Sequence, residues 1–300
     1  MIAVFQGVYA VLCTPFTQDD RVDETTLRRH VEYLVDEGKV HGIVANGSTG
    51  EFAALSEAER KTIAEIVIDE VAGRVPVVVG TASVATKETV MYTQHAQNVG
   101  ADGAMIVPPY YCCPNDREIF GHYKTIAENT DIGIMIYNNP STSGVDMQPE
   151  LISRLARFEN ISHIKESSGD ITRVAEIQRL CGDNMRVLCG CDNLSLEMFI
   201  MGAVGWVAPP ANMVPQLCVE LYKLAAVKKD LENARQLYFK MLPLFTVFEA
   251  TGQYVQLTKG GLEILGRPYG IPRKPLLPPT DQDKQRLGEI LHPLAKLVDD

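Results

Sequence analysis

Ile161-Ser162-His163-Ile164-Lys165-Glu166-Ser167-Ser168-Gly169-Asp170 is the stretch on which the reading of this chain turns. Apolar and polar residues alternate as far as Lys165 and then give way to small polar residues and a glycine, the pattern of a strand that stops at the rim of a sheet. In a closed barrel this puts an amine at the last inward position. An amine enclosed by aliphatic neighbours loses hydration of its charged form, so more of it is the free base that attacks a ketone. Lys165 is therefore a Schiff-base candidate. The plainer alternative is a strand-end lysine that reaches solvent or pairs with Glu166.

Outward from this strand, short Val/Ile-rich runs recur at residues 8–12, 42–45, 77–80, 104–107, 133–137, 162–166, 187–191 and 205–208. Amphipathic helical patterns lie between them, among them residues 24–37, 56–71 and 86–99, and Ser56 with Glu59 makes a capping box. Continuous apolar strands alternating with helices mean a parallel sheet covered on both sides. Eight such units predict a (β/α)8 TIM barrel rather than an open doubly wound sheet. After the eighth strand only helical patterns follow, at residues 231–249, 254–265 and 282–298, joined by a Pro-rich stretch at 267–279 that is too apolar for a disordered tail. Residues 1–225 are expected to form the catalytic barrel and residues 226–300 a C-terminal helical extension packed on it.

Composition sets further bounds. Of the 300 residues 46% are hydrophobic and 22% charged, enough for a large core, with no uncharged run of the length a membrane helix needs. The N-terminal Met1-Ile2-Ala3-Val4-Phe5 lacks the basic start of a signal peptide. The formal charge of −10 speaks against nucleic-acid and membrane partners and requires a local positive pocket for any anionic substrate. Seven cysteines, with no zinc or redox spacing, predict reduced thiols and a cytoplasmic protein. Cys189 and Cys191 read as alternating strand residues rather than a metal pair, and no metal site is expected.

Barrel enzymes build their chemistry at the carboxyl ends of the strands. Strand two runs into Asn46-Gly47-Ser48-Thr49-Gly50-Glu51, where glycines admit a ligand to the backbone and two hydroxyls add donors. A plain βα turn would use the same residues. Strand four ends in Pro108-Pro109-Tyr110-Tyr111 and strand five in Tyr137-Asn138-Asn139-Pro140. Phenols there can relay protons, although a tyrosine also packs its ring for its own sake. Together Gly47–Gly50, Tyr137 and Lys165 suit a 2-oxo acid, with its carboxylate on the turn, its ketone carbon at the amine and its protons on the phenol.

At this point the sequence resembles the dihydrodipicolinate synthase and N-acetylneuraminate lyase superfamily of class I aldolases. The patterns G-[ST]-[ST]-G-E, P-[YF]-Y, Y-N-x-P and [IL]-K-[EQ] occur in order, and the likeness runs from Cys13-Thr14-Pro15-Phe16 into the helical tail. The resemblance implies that Lys165 forms the iminium with pyruvate or another 2-oxo acid, that Tyr137 donates and accepts protons, and that Ser48 relays them. It implies further that Gly47 and Thr49 bind the carboxylate, that the Val207 carbonyl lines the iminium site, and that Tyr111 reaches a neighbouring subunit of a homotetramer, a dimer of dimers. The imine itself does the chemistry, so no cofactor, metal or nucleotide is implied, and the partners are a small 2-oxo acid and an aldehyde.

Two departures bear on specificity. Where true dihydrodipicolinate synthases carry an arginine that clamps a substrate carboxylate, this chain has Thr142, within Ser141-Thr142-Ser143-Gly144. Where sialate lyases follow the seventh-strand aspartate with an acidic residue, Asp192 is followed by Asn193. Asn139, Thr142, Ser143, Ser167, Asp192 and Asn193 then form a neutral, hydroxyl- and amide-rich distal wall, or are merely loop and cap residues. The expected function is a pyruvate-dependent Schiff-base lyase acting on a 2-keto-3-deoxy sugar acid or a related neutral-tailed 2-oxo acid. The alternatives are 4-hydroxy-tetrahydrodipicolinate synthase and a non-catalytic 2-oxo-acid-binding protein.

Overall fold

The structure, a computed structural model, describes residues 3–299; Met1, Ile2 and Asp300, and with them the start of the N-terminal reading, lie outside the described residues. Eight strands close a parallel barrel in sequence order: β1 (Gly7–Val11), β2 (Gly42–Ala45), β3 (Val77–Gly80), β4 (Gly103–Ile106), β5 (Gly133–Asn138), β6 (Ile161–Glu166), β7 (Arg186–Cys189) and β8 (Gly205–Ala208). Helices α1 (Glu24–Glu32), α2 (Glu57–Val71), α3 (Thr86–Asn98) and α4 (Asp116–Glu128) follow the first four strands. A one-turn α5 (Pro140–Ser143) precedes α6 (Pro149–Leu155), and α7 (Thr172–Cys181), α8 (Ser195–Ile200) and α9 (Pro215–Tyr222) complete the ring. The helices α10 (Leu231–Thr251), α11 (Tyr254–Ile264) and α12 (Asp281–Asp299) come last.

The sequence places these elements to within a residue or two, and the departures have physical causes. Helix α1 ends at Glu32 and continues to Glu37 as a wider turn, closed by Gly38 N–H on the Tyr33 carbonyl. The strand expected at 187–191 stops at Cys189. Gly190 is pressed so close to β6 that an added Cβ would lie 1.9 Å from Ser167 Oγ and 2.9 Å from Lys165 Cγ. Only glycine admits that approach, and the chain then turns away. Cys191 thus leaves the strand, with Cys189 Sγ donating to its carbonyl at 3.1 Å. The helix of α9 runs on as a wide turn over Lys223–Lys228, so the division expected at residue 225 falls inside a continuous helical segment.

Both faces of the strands are buried, as the parallel arrangement demands. The C-terminal helices dock through aromatic edges, Phe245 of α10 lying 5.5 Å from the ring of the fully buried Trp206 on β8. The Pro-rich connector is packed. Tyr269 is buried with its hydroxyl donating to the Cys13 carbonyl, and Arg273 donates to Glu59 and to Asp20. Among the described residues no helix is long and apolar enough to cross a membrane.

Candidate active site

Strand alternation decides what Lys165 and Glu166 do. Lys165 points into the barrel, 5% exposed, while Glu166 turns to the opposite face, 2% exposed, and accepts from Asn138 Nδ2 at 3.1 Å and from the Ser168 amide at 2.6 Å. Burial raises the Glu166 carboxyl above its ordinary range, and these donors work against the shift. Glu166 is therefore not the partner of Lys165; it holds the start of the β6–α7 loop. Asn138 extends this scaffold, donating also to Asp146, which in turn pairs with Arg173.

Lys165 and Tyr137 are direct partners in the β5–β6 register, and Lys165 Nζ lies 4.1 Å from the centroid of the Tyr137 ring. The Tyr137 hydroxyl accepts from Asn139 Nδ2 at 2.7 Å, and Asn139 Oδ1 accepts from Ser141 Oγ at 2.7 Å. This aims the phenol without tying up its proton. On the other side of the cavity Asn46 takes a positive φ of 55° and the turn is closed by Gly50 N–H on the Gly47 carbonyl and Glu51 N–H on that of Ser48. Ser48 and Thr49 come to the cavity wall as a result.

The turn is anchored from the C-terminal helices. Glu51, itself at a φ of 60°, lies 2.7 Å from Lys259 Nζ of α11, and the two side chains are 2% and 1% exposed. The contact is an ionic one; Lys259 gives its directed hydrogen bond to the Ile271 carbonyl at 2.9 Å. The second Glu51 oxygen accepts from the Arg273 amide at 2.7 Å. Removing one member of such a buried pair strands the other, at a cost of about 3–5 kcal/mol, so the pair fixes the turn that carries Ser48 and Thr49.

These elements enclose a cavity of about 510 Å³ at the carboxyl ends of the strands. It brings together Lys165, Tyr137, Ser48, Thr49, Asn139, Thr142 and Ser167, all singled out in the sequence. It does not bring in the others. Gly47 is buried behind the turn, where an added Cβ would lie 2.7 Å from Val11, and Val207 is fully buried in β8. Tyr111 is 89% exposed and outside the cavity. Asp192 and Asn193 do not form the distal wall, because the short 3-10 turn after Gly190 carries them behind it. Asp192 is fully buried with one oxygen accepting from Trp206 Nε1 at 2.9 Å, and the Asn193 carbonyl accepts from the Tyr238 hydroxyl.

The distal wall is built instead by the helical extension, through Glu249 of α10 and Tyr254, Val255 and Gln256 of α11. Sequence reasoning missed them. The only local signal is the Gly252-Gln253 break between two helices, Gly252 sitting at a φ of 65°, which lets the chain turn across the barrel mouth. Among the lining residues Lys165 is the one basic side chain and Glu249 the one acidic one. The described residues contain no cluster of three or more His, Cys, Asp or Glu side chains placed for a metal ion.

A parallel barrel whose sixth strand delivers a buried lysine beside an aimed tyrosine, opposite a hydroxyl-bearing turn, defines a class I aldolase architecture. Residues 4–294 match the dihydrodipicolinate synthetase family, and the chain belongs to that family. It is 39% identical over 298 residues, 99% of each chain, to the 4-hydroxy-tetrahydrodipicolinate synthase of Methanothrix thermoacetophila. Among solved structures it superposes on dihydrodipicolinate synthase from Aquifex aeolicus with a TM-score of 0.92 at 34% identity, covering 97% of this chain and 98% of that one. The Acinetobacter baumannii enzyme, solved with pyruvate, gives a TM-score of 0.93 at 30% identity, covering 97% and 99%. Enzymes of this family are lyases that use a pyruvate–lysine Schiff base and need no metal or nucleotide cofactor, which sets aside a barrel that only binds.

Proposed function

We propose that this chain condenses pyruvate, held as an imine on Lys165, with aspartate semialdehyde, the reaction for which its relatives are named. The single observation that carries this reading is the similarity, at 39% identity and over 99% of both chains, to a 4-hydroxy-tetrahydrodipicolinate synthase. It reverses the order drawn from the sequence, which put a sugar acid first.

In this reading the Lys165 amine attacks C2 of pyruvate, and the carbinolamine loses water to give the iminium. Tyr137 supplies and removes the protons of that exchange, with Ser48 as relay, while Thr49 and the turn behind it hold the carboxylate. The iminium draws electrons from C3, whose proton leaves to give an enamine. That carbon then bonds to the aldehyde carbon, and exchange with water or with the acceptor's own amine frees Lys165. Tyr111 acts across a subunit contact in a tetramer, a role consistent with its exposure. A cytoplasmic location without nucleic-acid or membrane partners accords with the charge of −10.

One observation favours a second reading, cleavage of a neutral-tailed 2-keto-3-deoxy acid. Beside the distal wall the cavity is lined by Asn139, Ser141, Thr142 and Ser167, with no arginine to clamp a carboxylate. Borohydride reduction in the presence of pyruvate, followed by peptide mapping, should place the adduct on Lys165; an unmodified Lys165 would end the Schiff-base reading. A panel of aspartate semialdehyde and 2-keto-3-deoxy acids, followed by pyruvate consumption or release, should then show condensation with the semialdehyde. Turnover of the sugar acids alone would put the second reading in its place.

A further inference from the structure

Glu249 brings a carboxylate into a cavity whose chemistry otherwise rests on Lys165, Tyr137 and the turn of strand two. It is not there by chance of packing. Its Oε1 accepts from the Asp192 amide at 3.0 Å, which fixes the side chain against the end of β7. Asp192 lies just behind, fully buried, with one oxygen bonded to Trp206 and the other without a partner among the described residues. Burial first, and then the proximity of Glu249, raise the Asp192 carboxyl well above the ordinary carboxylate range, and with Asp192 out of the cavity Glu249 is the carboxyl group that this corner presents to a ligand. Tyr254, beside it on the wall, is also driven strongly toward its neutral form by burial and by the two carboxyl groups.

The consequence concerns the tail of the substrate. In the enamine that attacks the aldehyde the Lys165 nitrogen is uncharged, and the lining holds no other lysine or arginine to face Glu249. A partly buried carboxylate in that position rewards a donor and penalises an anion. We propose that Glu249 is a specificity-determining residue that receives the charged amino group of the acceptor aldehyde. The inference rests on the Schiff-base reading above and names the acceptor's recognition element, an ammonium on the carbon next to its carboxylate.

The test uses a matched pair, aspartate semialdehyde and succinic semialdehyde, which differ in the amino group alone. The wild-type enzyme should prefer the aminated aldehyde in kcat/KM. Glu249→Gln keeps the length and an oxygen for the Asp192 amide, and should lower kcat/KM for aspartate semialdehyde roughly tenfold or more while leaving succinic semialdehyde unchanged or improved. Trapping of pyruvate on Lys165 by borohydride should be as efficient in the variant as in the wild type. Equal losses with both aldehydes, no change with either, or a wild type that traps pyruvate yet uses neither aldehyde would overturn the role of Glu249. A wild type that fails to trap pyruvate would instead overturn the Schiff-base reading.

Discussion

Lys165 and Tyr137 face each other across the β5–β6 ladder with the amine nitrogen 4.1 Å from the ring centroid, and the phenol oxygen is held by Asn139 at 2.7 Å. The face of the ring thus meets the amine while the hydroxyl is left at the cavity, an arrangement that separates holding the nucleophile from moving protons.

Tyr137→Phe keeps the ring and removes the proton carrier. Turnover should fall by about 10²- to 10⁴-fold, the usual contribution of a general acid–base group, with pyruvate affinity changed only a few-fold. Steady-state kinetics and pyruvate titration of the variant check this; a variant within a few-fold of wild type in kcat removes Tyr137 from proton transfer.

Thr142 lines the cavity from α5, where its hydroxyl offers a carboxylate a neutral donor and no charged clamp. A charge-assisted hydrogen bond there contributes on the order of 1.5–3 kcal/mol, so Thr142→Arg should lower KM for aspartate semialdehyde roughly ten- to a hundredfold. The same change should weaken any neutral-tailed 2-oxo acid. A variant with unaltered KM for the semialdehyde shows that its carboxylate lies elsewhere.

Tyr111 is 89% exposed on the β4–α4 loop, and a large aromatic so placed has no role in its own cavity. If it completes the proton relay of a neighbouring subunit, light scattering should find a tetramer and activity should fall on dilution to the monomer. A fully active monomer contradicts that role.

His30, His122 and His163 are buried, and desolvation lowers each from 6.5 to about 4. His163 Nε2 accepts from the Phe5 amide, a bond only the neutral ring can take at that nitrogen. Because the folded values lie below the unfolded ones, the unfolded chain binds more protons in between. Stability is then complete above about pH 6.5 and is lost as pH falls toward 4. Urea midpoints measured from pH 7.5 to 5 should decline, and His163→Gln should be less stable at pH 7.5 yet show a shallower decline. A wild-type midpoint that is flat or rises over that range refutes the assignment.

By itself the sequence determined the barrel, because the side-chain period of a buried parallel strand and the capping of the helix that follows are local properties: Ser56 with Glu59 caps α2 as its spacing requires. It also determined the proximal site, since Lys165, Tyr137, Ser48 and Thr49 lie at strand ends and any closed barrel collects its strand ends at one mouth. What lies over that mouth was a matter for the tertiary structure. Glu249, Tyr254 and Gln256 belong to helices whose local pattern says only that one face is buried, and the crossing at Gly252 depends on how α10 packs against Trp206. Asp192 shows the converse: a polar residue at a strand end, indistinguishable in sequence from a binding group, is drawn into the core because the Trp206 indole offers it a hydrogen bond there, a partner 14 residues away that the chain reaches only when folded.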